Sequence, residues 1–294
     1  MIRFLRYLLR RSLLFALIVG LAYFTTFDLF PYIHDRSPLL IALLATYILL
    51  AYLFVPTLIR IFRIFDRPNR IPTCAMTGDG WPSDPVNIAI MATDEQELMA
   101  GMQQAGWHVA DQQSLRNVLH IVWAIIANKP YPTAPFSNLY LFGRKQDIGF
   151  QLPVGNSPRR RHHVRFWRVT QTSVLQPDDN IATQHHGFWR TLLQRFWHKE
   201  QQLWVGACIY DSGPLDIMWR NGQLNHRVHP DADREREFII ASLKAAGIIK
   251  HSTSIKSGEP YNRWGQGLAG KIVSDGYVTL CTFDHTAIGQ HTRD

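Results

Sequence analysis

Cysteine is scarce in this chain: Cys74, Cys208 and Cys281 are the only three in 294 residues, and they lie far apart. An odd number without metal-type spacing supplies neither a disulfide framework nor a zinc site, and suits buried thiols in a reducing compartment. The glycine signatures of common enzymes are also lacking. There is no G-x-x-x-x-G-K-S/T phosphate loop, no G-x-S-x-G elbow and no glycine fingerprint of a strand-to-helix dinucleotide turn, so those nucleotide and serine-hydrolase readings lose support. No internal repeat or low-complexity tract is visible. Acidic residues are outnumbered, 23 against 31 basic ones, leaving a formal net charge of +8. No basic-aromatic nucleic-acid motif accompanies that excess, and many of the arginines flank apolar runs, where they meet anionic lipid headgroups. Nucleic acid is therefore not an expected partner.

Charge itself is missing from Leu39 to Ile59, a run of 21 residues. A helix of that length crosses a hydrocarbon core of about 30 Å. Ser12 to Ile33 is nearly as apolar, interrupted only by Asp28, and reads as a first spanning helix. The rival reading is a signal peptide, since Arg3, Arg6, Arg10 and Arg11 precede the run and Gly20-Leu21-Ala22 offers a small-x-small site. Arg60, Arg63, Arg67 and Arg70 follow the second span, whereas the turn between the spans holds Arg36 alone. The positive-inside bias then places both termini in the cytoplasm. Three parts are expected: a transmembrane hairpin over 1–65, a juxtamembrane linker over 66–83 rich in proline, and a cytosolic domain over 84–294.

Within that domain, "DPVNIAIMAT" reads as a buried strand, followed by a helix capped by Thr93 with Glu95 and Glu97 in its first turn. From Ser114 a second helix aligns Leu115, Val118, Leu119, Val122 and Ile126 on one face. Strands follow: "NLYLFGRKQDIGFQL" as a hairpin, "HHVRFWRV", "LWVGACIYD", then a hairpin turning at Asn221-Gly222. Asp231 to Gly247 is a helix packing Phe238, Ile239 and Leu243 on the sheet, and "GYVTLCTF" is a last strand. The fold class is α+β, a transmembrane hairpin followed by one soluble domain with a mostly antiparallel sheet and covering helices.

Three clusters could carry chemistry. Alternation along "RRRHHVRFWRV" puts Arg161, His163 and Arg165 on one face and His162, Val164 and Phe166 on the other. The first set is a cationic strip suited to a phosphate, a carboxylate or acidic side chains; the bland alternative is a solvated sheet face. His226, His229, Asp231 and Asp233 mix imidazole and carboxylate within eight positions, as divalent-metal sites do, although capping explains the two aspartates equally well. Arg144 and Asp147 would join His163 if their hairpin neighbours its strand. A fourth segment, "GFWRTLLQRFWHKEQQ", sets Trp189 and Trp197 beside Arg190 and Arg195, a composition shared by membrane-interface helices and by helices packed on a sheet.

"DPVNIAI", "AGW", "GRKQD", "RRRHHVRFW", "LWVGACIYD" and "HRVHPDADRERE" together resemble the LssY C-terminal domain over about Asp84 to Phe283. The resemblance implies a bacterial membrane and envelope setting. Related proteins carry this domain beside membrane spans, sometimes with phosphatidic-acid-phosphatase-like or DedA-like domains. This chain has only a hairpin anchor, so no phosphatase site is carried over. Two functions are expected. One is an inner-membrane binding or accessory module for an anionic headgroup, a lipid-linked phosphate or an envelope or secretion-system partner. The other is a hydrolase of a phosphate-containing lipid or envelope precursor, with His163 or His229 as acid-base or metal ligand, Asp231 as ligand or orienter, and Arg144, Arg161 and Arg165 as the clamp on the oxyanion.

Overall fold

The computed structural model describes residues 2–62, 74–78, 80–155, 158–170, 201–218, 221–257, 260–264 and 271–288. The chain divides into two compact units, Met1–Asp66 with Met218–Gln223, and Arg67–Ile217 with Leu224–Asp294.

The first unit is built on helices α1 (Ile2–Phe24), α2 (Phe30–His34), α3 (Leu39–Leu49) and α4 (Val55–Phe62), with π-helical turns at Thr25–Leu29 and Leu50–Phe54. Each π turn ends two residues before a proline, Pro31 or Pro56. A proline cannot donate to the i−4 carbonyl, and the widened turn absorbs that loss. Two stretches, Phe15–His34 and Leu39–Ile59, are long and apolar enough to cross a membrane.

The second unit is α+β. Its larger sheet contains β1 (Cys74–Thr77), β2 (Pro82–Ala92), β3 (His108–Val109), β4 (Leu139–Leu141), β5 (Arg144–Lys145), β6 (Ile148–Pro153), β7 (Arg161–Val169), β8 (Gln202–Ile217), β9 (Leu224–Val228), β10 (Ile249–Lys256) and β13 (Tyr277–Phe283). β11 (Tyr261–Trp264) and β12 (Lys271–Ser274) form a separate pair. The main path runs β3-β6-β7-β8-β2-β1-β4-β5. Two long strands allow the sheet to curl. β2 gives its first half to β1 and Ile88–Met91 to β13, and β8 gives Gln202–Ala207 to β2 and its distal half to β9. The β2–β13 contact is parallel; the other described pairings of this sheet are antiparallel.

The sheet is apolar on both faces, as a strand covered on two sides must be. Ile88, Ile90, Val164, Phe166 and Trp204 pack with α5 (Glu95–Gln104) and α7 (Ala232–Ala245) through Leu98, Met102, Ile239 and Leu243. Val86, Ala89, Met91, Trp167, Val205 and Leu139 form a second cluster. Asn87 sits at a register shift in β2 and spends its amide on two elements: Nδ2 donates to Ala232 O (2.9 Å), and Oδ1 accepts from Cys208 N (3.3 Å).

Several expectations change in detail. β1 falls inside the stretch read as linker; Cys74 and Ala75 are buried, so the folded unit begins before Asp84. Asp94, not Thr93, is the N-cap of α5, accepting from Glu97 N at 2.8 Å. The hairpin at "LFGRK" is the short β4–β5 pair, turning on Phe142 (φ 53°) and Gly143 (φ 72°), the two positive φ values a type I′ turn requires; β6 belongs to β7 and β3 instead. Phe238 is 37 % exposed, whereas Ile239 and Leu243 are fully buried. Gly265 to Lys271 spells G-x-x-x-x-G-K, but Ile272 follows it and its flanks are the antiparallel strands β11 and β12. A phosphate loop needs a strand before it and a helix after it.

Candidate functional site

β7 carries the cationic strip, and its face is closed. Arg161, His163 and Arg165 are each 3 % exposed, which removes the solvated-face alternative. A buried charge must find partners or it costs several kcal/mol, and here each has them. Arg161 Nε donates to Asp211 Oδ2 (3.0 Å), and Nη1 donates to Gln151 Oε1 (2.9 Å) and Ala134 O (3.1 Å). Arg165 Nη1 donates to Asp84 Oδ2 (2.9 Å), while Nε and Nη2 both reach Ser137 O at 3.2 Å. Asp84 also accepts from Ser83 Oγ (2.7 Å).

His163 lies between the arginines. Nδ1 is 3.2 Å from Arg165 Nη1, which can only donate, and Nε2 is 3.2 Å from Asp211 Oδ1. These partners assign the neutral tautomer protonated on Nε2. Two arginines then face two aspartates, and the cluster is charge-balanced. Burial acts to raise the Asp211 carboxyl, but the hydrogen bond from His163 and the Arg161 charge hold it far below the carboxylate range. Burial lowers Arg165, opposed by Asp84 and Asp211.

A strap between α6 (Leu115–Ile126) and β4 closes the cluster. Phe136 stacks on the His163 ring (centroids 5.3 Å, 28°) and lies under the Arg165 guanidinium at 4.5 Å. Gly149 makes room for it: a Cβ there would meet Phe136 Cζ at 2.3 Å. On the opposite face of β7, His162 is half-buried, hydrogen-bonded to Glu235 (2.8 Å) and stacked on Phe238 at 3.9 Å.

The other candidates are distributed. His226, on β9 against β8, feels the strip: burial lowers its basicity, with Arg161 and Arg159 acting in the same direction and Asp211 against, and among the described residues its buried Nδ1 has no hydrogen-bond partner. His229, Asp231 and Asp233 stand at the start of α7. Asp231 is its N-cap, accepting from Asp233 N (3.0 Å) and Arg234 N (3.2 Å), and Asp231 N donates to His229 Nδ1 (3.2 Å). Asp233 accepts from Ser274 Oγ (2.7 Å) and Asp275 N (2.6 Å) and pairs with Arg236 (3.2 Å). Among the described residues no group of three or more His, Cys, Asp or Glu could hold a metal ion. Arg144 pairs with Asp147 and with Arg168 O, at the far end of β7 from His163. Trp189, Arg190, Arg195 and Trp197 lie outside the described residues.

Asp84, Asp211, Gln151 and Phe136 complete the cluster and were not singled out by sequence. Asp84 and Asp211 had one available signal, an isolated carboxylate at the end of an apolar strand, where burial would demand a cation.

Two spanning-length apolar helices and an α+β domain built around a closed polar network fit a membrane-anchored protein. The chain belongs to the LssY C-terminus family, whose model matches residues 68–278. No curated protein and no solved structure matches it.

Proposed function

We propose that this protein is a binding or accessory module of the bacterial inner membrane, with its soluble domain on the cytosolic side, that recognises an anionic lipid headgroup or a lipid-linked phosphate. The observation that carries this reading is the internal neutralisation of the buried arginines. Arg161 and Arg165 are matched by Asp211 and Asp84, and both ring nitrogens of His163 are occupied. His163 has no free atom with which to move a proton, so a catalytic role for the strip loses its acid-base group. Positive charge open to a ligand lies on the surface, and Arg116, Lys129, Arg159 and Arg160 are among the exposed cations. Such charges attract phosphate-bearing lipids at about 1 kcal/mol each near the surface.

The test is the thermal stability of the detergent-solubilised full chain with short-chain phosphatidic acid or phosphatidylglycerol, against phosphatidylcholine at equal concentration. Stabilisation by the anionic lipids, lost in Arg159→Glu/Arg160→Glu, is the expected result. Equal shifts with all three lipids sink the reading. One observation favours the hydrolase alternative: the unpartnered Nδ1 of His226 beside Asp211 is an imidazole atom available for acid-base work. Phosphoester turnover abolished by His226→Gln would establish that alternative.

A further inference from the structure

The helix α6 is inverted relative to a core helix. Leu115, Leu119, Trp123 and Ile126 are 77, 61, 59 and 70 % exposed, and Val118 and Val122 are exposed beside them. At 100° per residue these six fall on one face. The opposite face is the one that packs: Ala124 is buried against Tyr131 and Ala134, with Ile121 at the margin, and the His120 ring stacks on Tyr131 at 4.1 Å. The helix is firmly built nonetheless. Ser114 caps it by accepting from Asn117 N (3.2 Å), and Arg159 Nη2 donates to Ile125 O (2.6 Å) near its last turn.

Sequence periodicity aligned these apolar residues on one face, and the structure turns that face outward. Periodicity shows that a helix has an apolar side without showing what the side meets. At 12 residues α6 is about 18 Å long, too short to span a bilayer. It has the parts of a helix lying in a membrane interface: a wide apolar face with an aromatic residue, no acidic residue between Leu115 and Ile126, and exposed cations at Arg116, Lys129, Arg159 and Arg160. The chain also limits where the face can go. Phe62, at the end of α4, and Cys74, at the start of β1, are separated by twelve peptide units, a tether of at most about 40 Å.

We propose that α6 is a membrane-interface helix, its Leu115/Leu119/Trp123/Ile126 face inserted into the acyl boundary of an anionic leaflet and its flanking arginines at the headgroups. The proposal deepens the reading of the domain as a module that works on anionic lipid, and rests on that reading for the leaflet's charge. The occupant is a bilayer because the rim is basic and the domain is tethered beside one.

The experiment uses the full chain in nanodiscs of phosphatidylcholine, with and without phosphatidylglycerol. Nitroxide labels are placed one at a time by Val122→Cys and Ile126→Cys on the outward face, and by Gln112→Cys ahead of the helix, as an exposed reference. The three native cysteines are buried, and the unsubstituted chain serves as the labelling control. The ratio of oxygen to nickel-chelate accessibility should be several-fold higher at 122 and 126 than at 112. Equal ratios, meaning water on both faces, overturn the proposal. Labels shielded from both reagents also overturn it, because the face is then covered by protein. High ratios in both kinds of disc, without stabilisation by short-chain anionic lipids, would keep the insertion and reject the headgroup reading.

Discussion

Asp211 holds Arg161 and His163 at once, one carboxylate oxygen to each, at 3.0 and 3.2 Å. The carboxylate is on β8 and its two partners are alternate residues of β7, so a single side chain ties the buried polar strip together across the strand pair.

Replacing that carboxylate by an amide leaves Arg161 buried without its counter-charge. Removing one partner of a buried pair costs about 3–5 kcal/mol, whereas replacing both sides by apolar groups is far less damaging. Asp211→Asn should therefore lower stability by that amount in chemical unfolding of the detergent-solubilised chain. Arg161→Met in the same background should recover part of the loss, giving a favourable coupling in a double-mutant cycle. A loss below about 1 kcal/mol for Asp211→Asn would mean that the network does not hold the domain together.

Asp231 tests the metal reading against the capping one. As the N-cap of α7 it satisfies two backbone donors, and its removal should cost about 0.5–2 kcal/mol. Asp231→Ala is expected to lower the melting temperature of the purified chain with no change in its metal content. A chelator should leave the wild-type melting temperature where it is. A stoichiometric metal lost in this variant would falsify the capping account and return His229 and Asp231 to the role of ligands.

The strands with an apolar core face were legible because period-2 alternation and turn residues mark them: β7 and β13 fall where those signals put them, and β8 covers the expected Leu203–Asp211 strand but runs on to Ile217, absorbing the start of the hairpin read after it. β10 was not legible. Its "IKHSTSIK" is exposed along most of its length, so it carries no apolar alternation and is ordered by its ladder to β13. The candidate site was half legible. Alternation placed Arg161, His163 and Arg165 together, but their closure depends on Asp84, about 80 residues earlier, and on Asp211, about 50 residues later. Pairing across such separations is set by sheet order, which single-strand patterns do not contain. Arg144 shows the converse: its hairpin does adjoin β7, but at Arg168, several residues beyond the histidine.

His226 gives the pH dependence its sign. Burial lowers its pKa below the ordinary histidine value, so the folded state keeps the imidazole neutral where the unfolded chain already takes up a proton. Its contribution to stability is complete above the unfolded pKa of about 6.5 and is lost as pH falls below it, down to the lowered folded value. The slope for one proton reaches about 1.4 kcal/mol per pH unit. Asp211 does not interfere in this window, because its carboxyl is held far below it and stays ionised. Wild-type stability minus that of His226→Gln, measured from pH 8 to about pH 5, should be flat above pH 7 and fall below pH 6.5. A flat difference throughout would show that the imidazole protonates as readily in the folded state as in the unfolded chain.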